Sequence, residues 1–167
     1  MIRDRVSDDG AACLDLLLRV HARDGYPLHL PPERVAGFFM TQADVAAWVV
    51  ELEGRVVGHV ALRRGPDDPT LVAVHRALGV PQQELLMVSR LFVDPDVRRA
   101  GVGRALLRHA TAHASAMGRR AVLDVGQTLS TAVALYESEG WVRVDDLHLE
   151  LDTGDTLDLW VYVSPSP

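Results

Sequence analysis

The stretch from Leu85 to Gly103 constrains this chain more than any other. Leu85 to Val93, LLMVSRLFV, is an apolar run of strand length that Asp94-Pro95 breaks. An Arg/Gly loop follows, and an amphipathic pattern begins at Val102. Apolar residues on both faces predict a strand that is buried on both sides. A second strand pattern, Ala121 to Val125, follows the helical one, and such a strand-helix-strand passage implies a parallel crossover. The loop is suited to an anion. Gly101 and Gly103 carry no Cβ to block close approach. The first N–H groups of a helix lack intrahelical partners and sit at the positive end of its dipole, so a phosphate is the natural guest. Arg98, Arg99 and Arg104 add side-chain charge at the same point.

Two common phosphate-binding patterns do not fit. G-x-G-x-x-G fails because Leu106 stands at its third glycine, and the phosphate loop ending in Gly-Lys-Ser/Thr fails because the chain has no lysine. What remains is R-x-x-G-x-G at Arg98 to Gly103, with Val93-Asp94-Pro95 before it and Arg104 to Leu107 after it. Further on, Ala134 to Trp141 reads ALYESEGW. In this order the two segments resemble the coenzyme diphosphate loop and the A-x-x-L-Y-x-x-x-G-[FW] segment of the GNAT superfamily of acyl-CoA-dependent N-acyltransferases.

The rest of the chain reads as a succession of strands and helices. A short edge strand is predicted within Met1 to Val6, then a helix over about Asp9 to Arg23 with Leu14, Leu17, Leu18 and His21 on one face. A Gly/Pro loop runs from Asp24 to Pro32, and a short helix reaches Met40. Ala46 to Glu53 and Arg55 to Arg63 form a hairpin through Glu53-Gly54-Arg55. Thr70 to Leu78 is helical and stops at Gly79. The long helix presents Val102, Ala105, Leu106, Ala110, His113, Ala114 and Met117 on one stripe. Ser130 or Thr131 caps a last helix. Trp141 to Leu151 and Thr156 to Val163 form a hairpin through Asp152 to Asp155. This alternation predicts an α/β fold with a mixed, mostly antiparallel central sheet flanked by helices, and the resemblance adds two splayed parallel strands that admit the pantetheine arm. Length predicts a single domain, which the resemblance makes GNAT-like, over 1–163 with a polar tail over 164–167.

Composition narrows the class. The chain has 17 basic residues, all arginine, and a net charge of −6 with no basic tract, which argues against a nucleic-acid surface. No apolar run reaches the length of a membrane span, and the acidic N-terminus does not read as a signal peptide. The expected location is cytoplasmic, consistent with the lone Cys13, which sits among apolar residues at helical spacing and reads as a buried structural thiol. No metal is expected: His109 and His113 are spaced i, i+4, but no third ligand is near.

The resemblance assigns the chemistry. Backbone groups of Leu91, Phe92 and Val93 would hold the pantetheine like an added strand, and an N–H there would polarise the acyl carbonyl. Arg98, Arg99, Ala100, Gly101, Val102, Gly103 and Arg104 would hold the diphosphate. Tyr136 would protonate the departing thiolate. Many members carry a strand glutamate as base, but Leu85 to Val93 contains no carboxylate; Glu84, Ser89 or a water chain would replace it. Leu129 stands where many members have asparagine. Tyr26, His29 and Leu30, in the first Gly/Pro loop, would line the acceptor side or else pack that loop onto the body. The implied activity is transfer of an acetyl group from acetyl-CoA to a primary amine, of a small molecule or a peptide, by direct attack on the thioester. The alternatives are a non-catalytic acyl-CoA-binding sensor or interaction module, and a generic nucleotide-phosphate binder. The C-terminal hairpin offers a surface for a homodimer. No nucleic-acid or membrane partner is expected.

Overall fold

The computed structural model describes residues 1–40 and 44–166. In chain order its elements are β1 (Ile2–Asp4), α1 (Gly10–Asp24), α2 (Val35–Met40), β2 (Asp44–Leu52), β3 (Arg55–Arg63), α3 (Pro69–Leu78), β4 (Leu85–Val93), α4 (Val102–Ala116), β5 (Arg120–Gly126), α5 (Ser130–Ser138), β6 (Val142–Glu150) and β7 (Thr156–Val163). The seven strands make one mixed sheet in the order β1-β2-β3-β4-β5-β7-β6. The pairings β1–β2, β2–β3, β5–β7 and β6–β7 are antiparallel, and β4–β5 is parallel, as the crossover pattern requires. The parallel ladder spans Leu85 to Met87 against Arg120 to Val122, while both strands continue beyond it. Among the described residues no helix is long and apolar enough to cross a membrane.

The chain divides into two compact units, Met1–Arg63 with Val88–Ala110 and Arg64–Met87 with Thr111–Pro167. In the first, α1 buries Cys13, Leu16, Leu17 and Val20. These residues recur at i, i+3, i+4 and i+7, and they pack on Val35, Phe39, Val49 and Phe92. Each such side chain contributes about 1.5–3 kcal/mol of burial. The face expected from the sequence was Leu14, Leu17, Leu18 and His21. The leucine run fits a helical stripe in more than one phase, and Cys13 and Val20 set the phase that is buried; Leu18 is exposed. On α4, Val102, Leu106, Leu107 and Ala110 are buried, whereas Ala105 of the expected stripe is exposed. Gly58 on β3 lets this helix come close, since a Cβ there would lie 2.9 Å from Leu106 Cδ1 and 3.0 Å from Val102 Cγ1.

In the second unit, α3 is capped by Asp68, whose carboxylate accepts the Thr70 N–H at 2.9 Å, and Pro69 opens the helix. Leu71 and Val74 of α3 pack with Leu85, Met87, Val122, Val161 and Val163. His113 and Met117, the other expected members of the α4 stripe, are exposed. Leu129, and neither Ser130 nor Thr131, takes the cap position of α5, and its side chain makes no capping bond. Ser164, at the start of the expected tail, is buried. Its N–H donates to Ala121 O at 2.9 Å and its carbonyl accepts from the Arg120 guanidinium at 2.8 Å. Pro167, the last residue of that expected tail, lies outside the described residues.

Candidate active site

The first unit contains the whole of the Arg/Gly loop. Asp94 comes directly after β4 and shapes the turn beyond it. Its side chain is 1% exposed, and Oδ2 accepts from Arg19 Nη1 at 2.8 Å. Oδ1 accepts the Asp96 N–H at 3.0 Å, and the Asp94 N–H donates to Val57 O at 2.8 Å. Burial pushes this carboxyl up, but the Asp96 N–H and the Arg19 guanidinium outweigh it and hold the group below the usual carboxylate range. The capped turn, Pro95–Val97, leads into Arg98.

Beyond that turn the chain enters the left-handed region twice, at Arg99 (φ 76°) and Gly101 (φ 78°). Residues that alternate into this region make a concave row of N–H groups suited to an anion. A Cβ on Gly101 would meet nothing within 4 Å, so no protein atom crowds that side of Gly101. The first bond closing α4 runs from the Ala105 N–H to Gly101 O at 2.9 Å. The N–H groups of Val102 and Gly103 precede it and have no acceptor within the helix. Arg98 pairs with Asp24, at the end of α1, and its guanidinium also reaches Val93 O at 3.4 Å. Arg99 and Arg104 are exposed. The chemistry of these residues suits a diphosphate: an uncrowded glycine, a helix N-terminus and three arginines fall within one bend of the chain.

The strand before the loop is not regular. Arg90, in the middle of β4, has φ 49°. Such a residue locally re-aims the strand. Ser89, just before it, has a buried Oγ with no hydrogen-bond partner. Leu91 and Val93 are half-buried and Phe92 is buried. Arg90 is itself buried, with Nη1 donating to Phe39 O at 2.8 Å and Nη2 paired with Asp44. His59, fully buried on β3, meets the Arg90 carbonyl with Nδ1 at 2.7 Å. Arg90, Asp44 and the role of His59 were not foreseen. The signal was a lone arginine in an apolar strand. In the acceptor-side loop, Tyr26 and Leu30 pack against the α1/α2 cluster, with Tyr26 edge-on to Phe38 at 6.0 Å. His29 is exposed, with φ 58°.

The second unit holds Tyr136 and Glu84. Tyr136 is buried on α5 and lies 6.1 Å from the Trp141 ring and 6.2 Å from the Tyr162 ring. Burial, reinforced by the Asp124 carboxylate, raises its phenol well above the ordinary tyrosine value. It is therefore protonated at any physiological pH. Asp124, on β5, accepts from Thr70 Oγ1 at 2.7 Å. That acid was also missed, although a carboxylate inside the apolar run Ala121 to Val125 was visible. Glu84 is exposed, in the 3-10 turn Gln82–Glu84 that precedes β4. Among the described residues no cluster of three or more His, Cys, Asp or Glu side chains could hold a metal ion.

A strand with a left-handed residue at its centre, a capped turn and a helix start follow one another within this mixed α/β fold. The acetyltransferase (GNAT) domain family matches residues 43–143, and the chain belongs to that family. It is 32% identical to human N-acetyltransferase 8 over 122 residues, 66% of this chain and 49% of that protein. An uncharacterized N-acetyltransferase of Methanocaldococcus jannaschii is 29% identical over 117 residues, 64% of this chain and 47% of that one. The chain thus spans about half the length of these relatives. Among solved structures, an N-acetyltransferase from Staphylococcus aureus Mu50 shares the fold at TM-score 0.72 and 19% identity, covering 98% of this chain and 96% of that one. The ribosomal-protein-S18-alanine N-acetyltransferase of Escherichia coli does so at 0.70 and 20%, covering 99% and 92%. Arabidopsis thaliana NAA60 in complex with acetyl-CoA does so at 0.69 and 20%, covering 98% and 96%.

Proposed function

We propose that the chain is an acetyl-CoA-dependent N-acetyltransferase acting on a primary amine in the cytoplasm. The observation that carries this reading is the bend from Val93 to Arg104, where Gly101, at φ 78° and uncrowded at its Cβ position, leads into the start of α4. Arg98, Arg99 and Arg104 supply the cations for a diphosphate, and the N–H groups of Gly101, Val102 and Gly103 supply the donors. Backbone groups of Leu91 to Val93 hold the pantetheine arm, and an N–H there draws charge from the thioester carbonyl. Holding donor and amine together lowers the barrier further.

In the reaction a neutral amine forms an N–C bond to the acyl carbon, the C–S bond breaks, and the amine loses one proton while the thiolate gains one. Tyr136 serves as the acid. Its phenol is protonated before the reaction and donates toward sulfur as the C–S bond breaks. The proton shed by the amine then restores the phenol. Ser89 and Glu84 are the side-chain candidates for receiving that proton first. Ser89 is favoured, because its Oγ has no protein partner and sits one residue before the turn in β4. A hydroxyl is a relay and not a strong base, so kcat/KM rises with pH until the amine itself is deprotonated.

The acceptor is a small amine or a peptide N-terminus, with Tyr26, His29 and Leu30 as the candidate residues for its side of the site. A structural neighbour named for the alanine of a ribosomal protein puts peptides on the panel. Thiol release from acetyl-CoA is measured across amines, amino acids and peptides. Stimulation by an amine, reduced on the order of 100-fold in Tyr136→Phe with coenzyme affinity intact, supports the reading. Tight acetyl-CoA binding with no turnover on any amine would make the chain a binding module instead.

A further inference from the structure

Four residues far apart in the sequence close a ring around the irregular point of β4. The Arg90 carbonyl meets His59 Nδ1 at 2.7 Å, and His59 Nε2 meets Arg5 Nη1 at 3.1 Å. Arg5 Nη2 donates to Asp44 Oδ2 at 3.0 Å, and Asp44 Oδ1 pairs with the Arg90 guanidinium. The circuit leaves Arg90 by its backbone and returns by its side chain. The members are 0% exposed at His59 and 3% at Arg90.

The hydrogen-bond directions are set by chemistry. A carbonyl only accepts, so His59 Nδ1 carries the proton and donates it. A guanidinium only donates, so His59 Nε2 is a lone pair that accepts from Arg5. The ring must be neutral for both bonds to exist. Burial favours that form, pushing the ring down to about 3. Phe92 stacks on the imidazole at 4.9 Å and 18°, and Phe39 meets it edge-on at 5.4 Å. The ring is held on its faces as well as at its nitrogens.

Stability does not explain this construction. Buried ion pairs recover little more than their desolvation cost, and apolar residues of similar volume often serve as well. The Arg90 Nε is left with no partner, a further cost. A non-glycine residue held at positive φ costs about 1–3 kcal/mol and persists where its surroundings over-determine it. The ring does that at one residue. Its effect passes to the next, because the Arg90 C=O and the Leu91 N–H belong to one planar trans peptide and point opposite ways. Fixing the carbonyl on His59 therefore aims the Leu91 N–H.

We propose that His59 is a positioning residue: by binding the Arg90 carbonyl it aims the Leu91 N–H at the thioester carbonyl of the bound acyl donor. This rests on the acetyltransferase reading, so its test must separate the two. The probe is acetyl-CoA labelled with carbon-13 at the acetyl carbonyl. The carbonyl infrared band, coenzyme affinity and kcat are measured for the native protein, His59→Phe and His59→Gln. Phenylalanine keeps the stack on Phe92 and removes both hydrogen bonds; glutamine can still donate to Arg90. The native protein shifts the band to lower frequency. His59→Phe loses the shift and on the order of 10- to 100-fold in kcat, with coenzyme affinity nearly unchanged, and His59→Gln recovers part of both.

A native protein that turns over, with a folded His59→Phe variant that keeps band and kcat, overturns this role and leaves the transferase standing. A native protein that neither shifts the band nor turns over removes the transferase reading itself. Should His59→Phe not fold, nitrogen-15 NMR of the native His59 decides: the Nδ1–H tautomer from pH 5 to 8 supports the ring, and the Nε2–H tautomer overturns it.

Discussion

Removing the Asp94 carboxylate tests whether the loop is held from behind. In Asp94→Ala two bonds go: the one from Asp96 N–H at 3.0 Å and the one from Arg19 at 2.8 Å. The first is a turn cap, about 1 kcal/mol. The second is an ion pair whose arginine side chain is 49% exposed and regains water, so about 0.5–1 kcal/mol is appropriate. Together they predict about 2 kcal/mol of destabilisation at pH 7. Asp94→Asn keeps the cap acceptor and loses the charge, so it should cost about half as much. The assay is urea unfolding by linear extrapolation, with Arg19→Ala and the double variant completing a cycle. The dependence on pH has a definite sign. The folded carboxyl titrates below its unfolded value, so its contribution is full above about pH 4 and is lost as pH falls through the lower folded value. The gap between native and Asp94→Asn stability should close over that acid window. Coenzyme affinity should fall in Asp94→Ala, because the Pro95–Val97 turn sets the loop's entry. An Asp94→Ala variant within about 0.5 kcal/mol of native at pH 7, or a cycle with no coupling to Arg19, would refute the reasoning.

Gly58→Val should destabilise by about 1–3 kcal/mol in the same unfolding assay, since even a Cβ meets Leu106 and Val102 at 2.9 and 3.0 Å. Asp24→Asn should tighten coenzyme binding severalfold by calorimetry, because it releases Arg98 from its ion pair, with a gain of about 0.5–1 kcal/mol; unchanged or weaker binding would place Arg98 outside the anion site. Gly101→Glu should weaken binding, both by straining a residue at φ 78° and by putting a carboxylate where the diphosphate goes. On the β6–β7 hairpin, His148 donates to Asp158 at 2.6 Å, and that bond first, then the nearby acids, raises its titration point. NMR should place the midpoint above that of a free histidine and show it fall in Asp158→Asn. What the pair adds to stability is present at low pH and is lost as pH rises through the raised value.

The bend between β4 and α4 was legible because its geometry is local. Asp94-Pro95, two glycines and the start of an amphipathic pattern fall within one short segment, so a turn leading into a helix at Val102 could be read from their spacing. The parallel crossover was legible for a similar reason, since a strand, a helix-length segment and a strand admit few arrangements. The phase of α1 was not, because Leu14, Leu16, Leu17 and Leu18 fit helical faces in more than one register, and only packing on Val35 and Phe92 selects among them. The ring through Arg5, Asp44, His59 and Arg90 was hidden for a deeper reason. Each member reads as an ordinary polar residue in or near a strand, and their meeting depends on sheet register and on one left-handed residue that no local pattern announces. Asp124 belongs to the same class: its partner Thr70 comes from a helix far away in sequence.

A crystal structure of the acetyl-CoA complex tests the central claim most directly. The account predicts the diphosphate within hydrogen-bond distance of the Gly101, Val102 and Gly103 N–H groups, and the thioester carbonyl on the Leu91 N–H. A coenzyme bound elsewhere, with that bend closed by its own side chains, would contradict it.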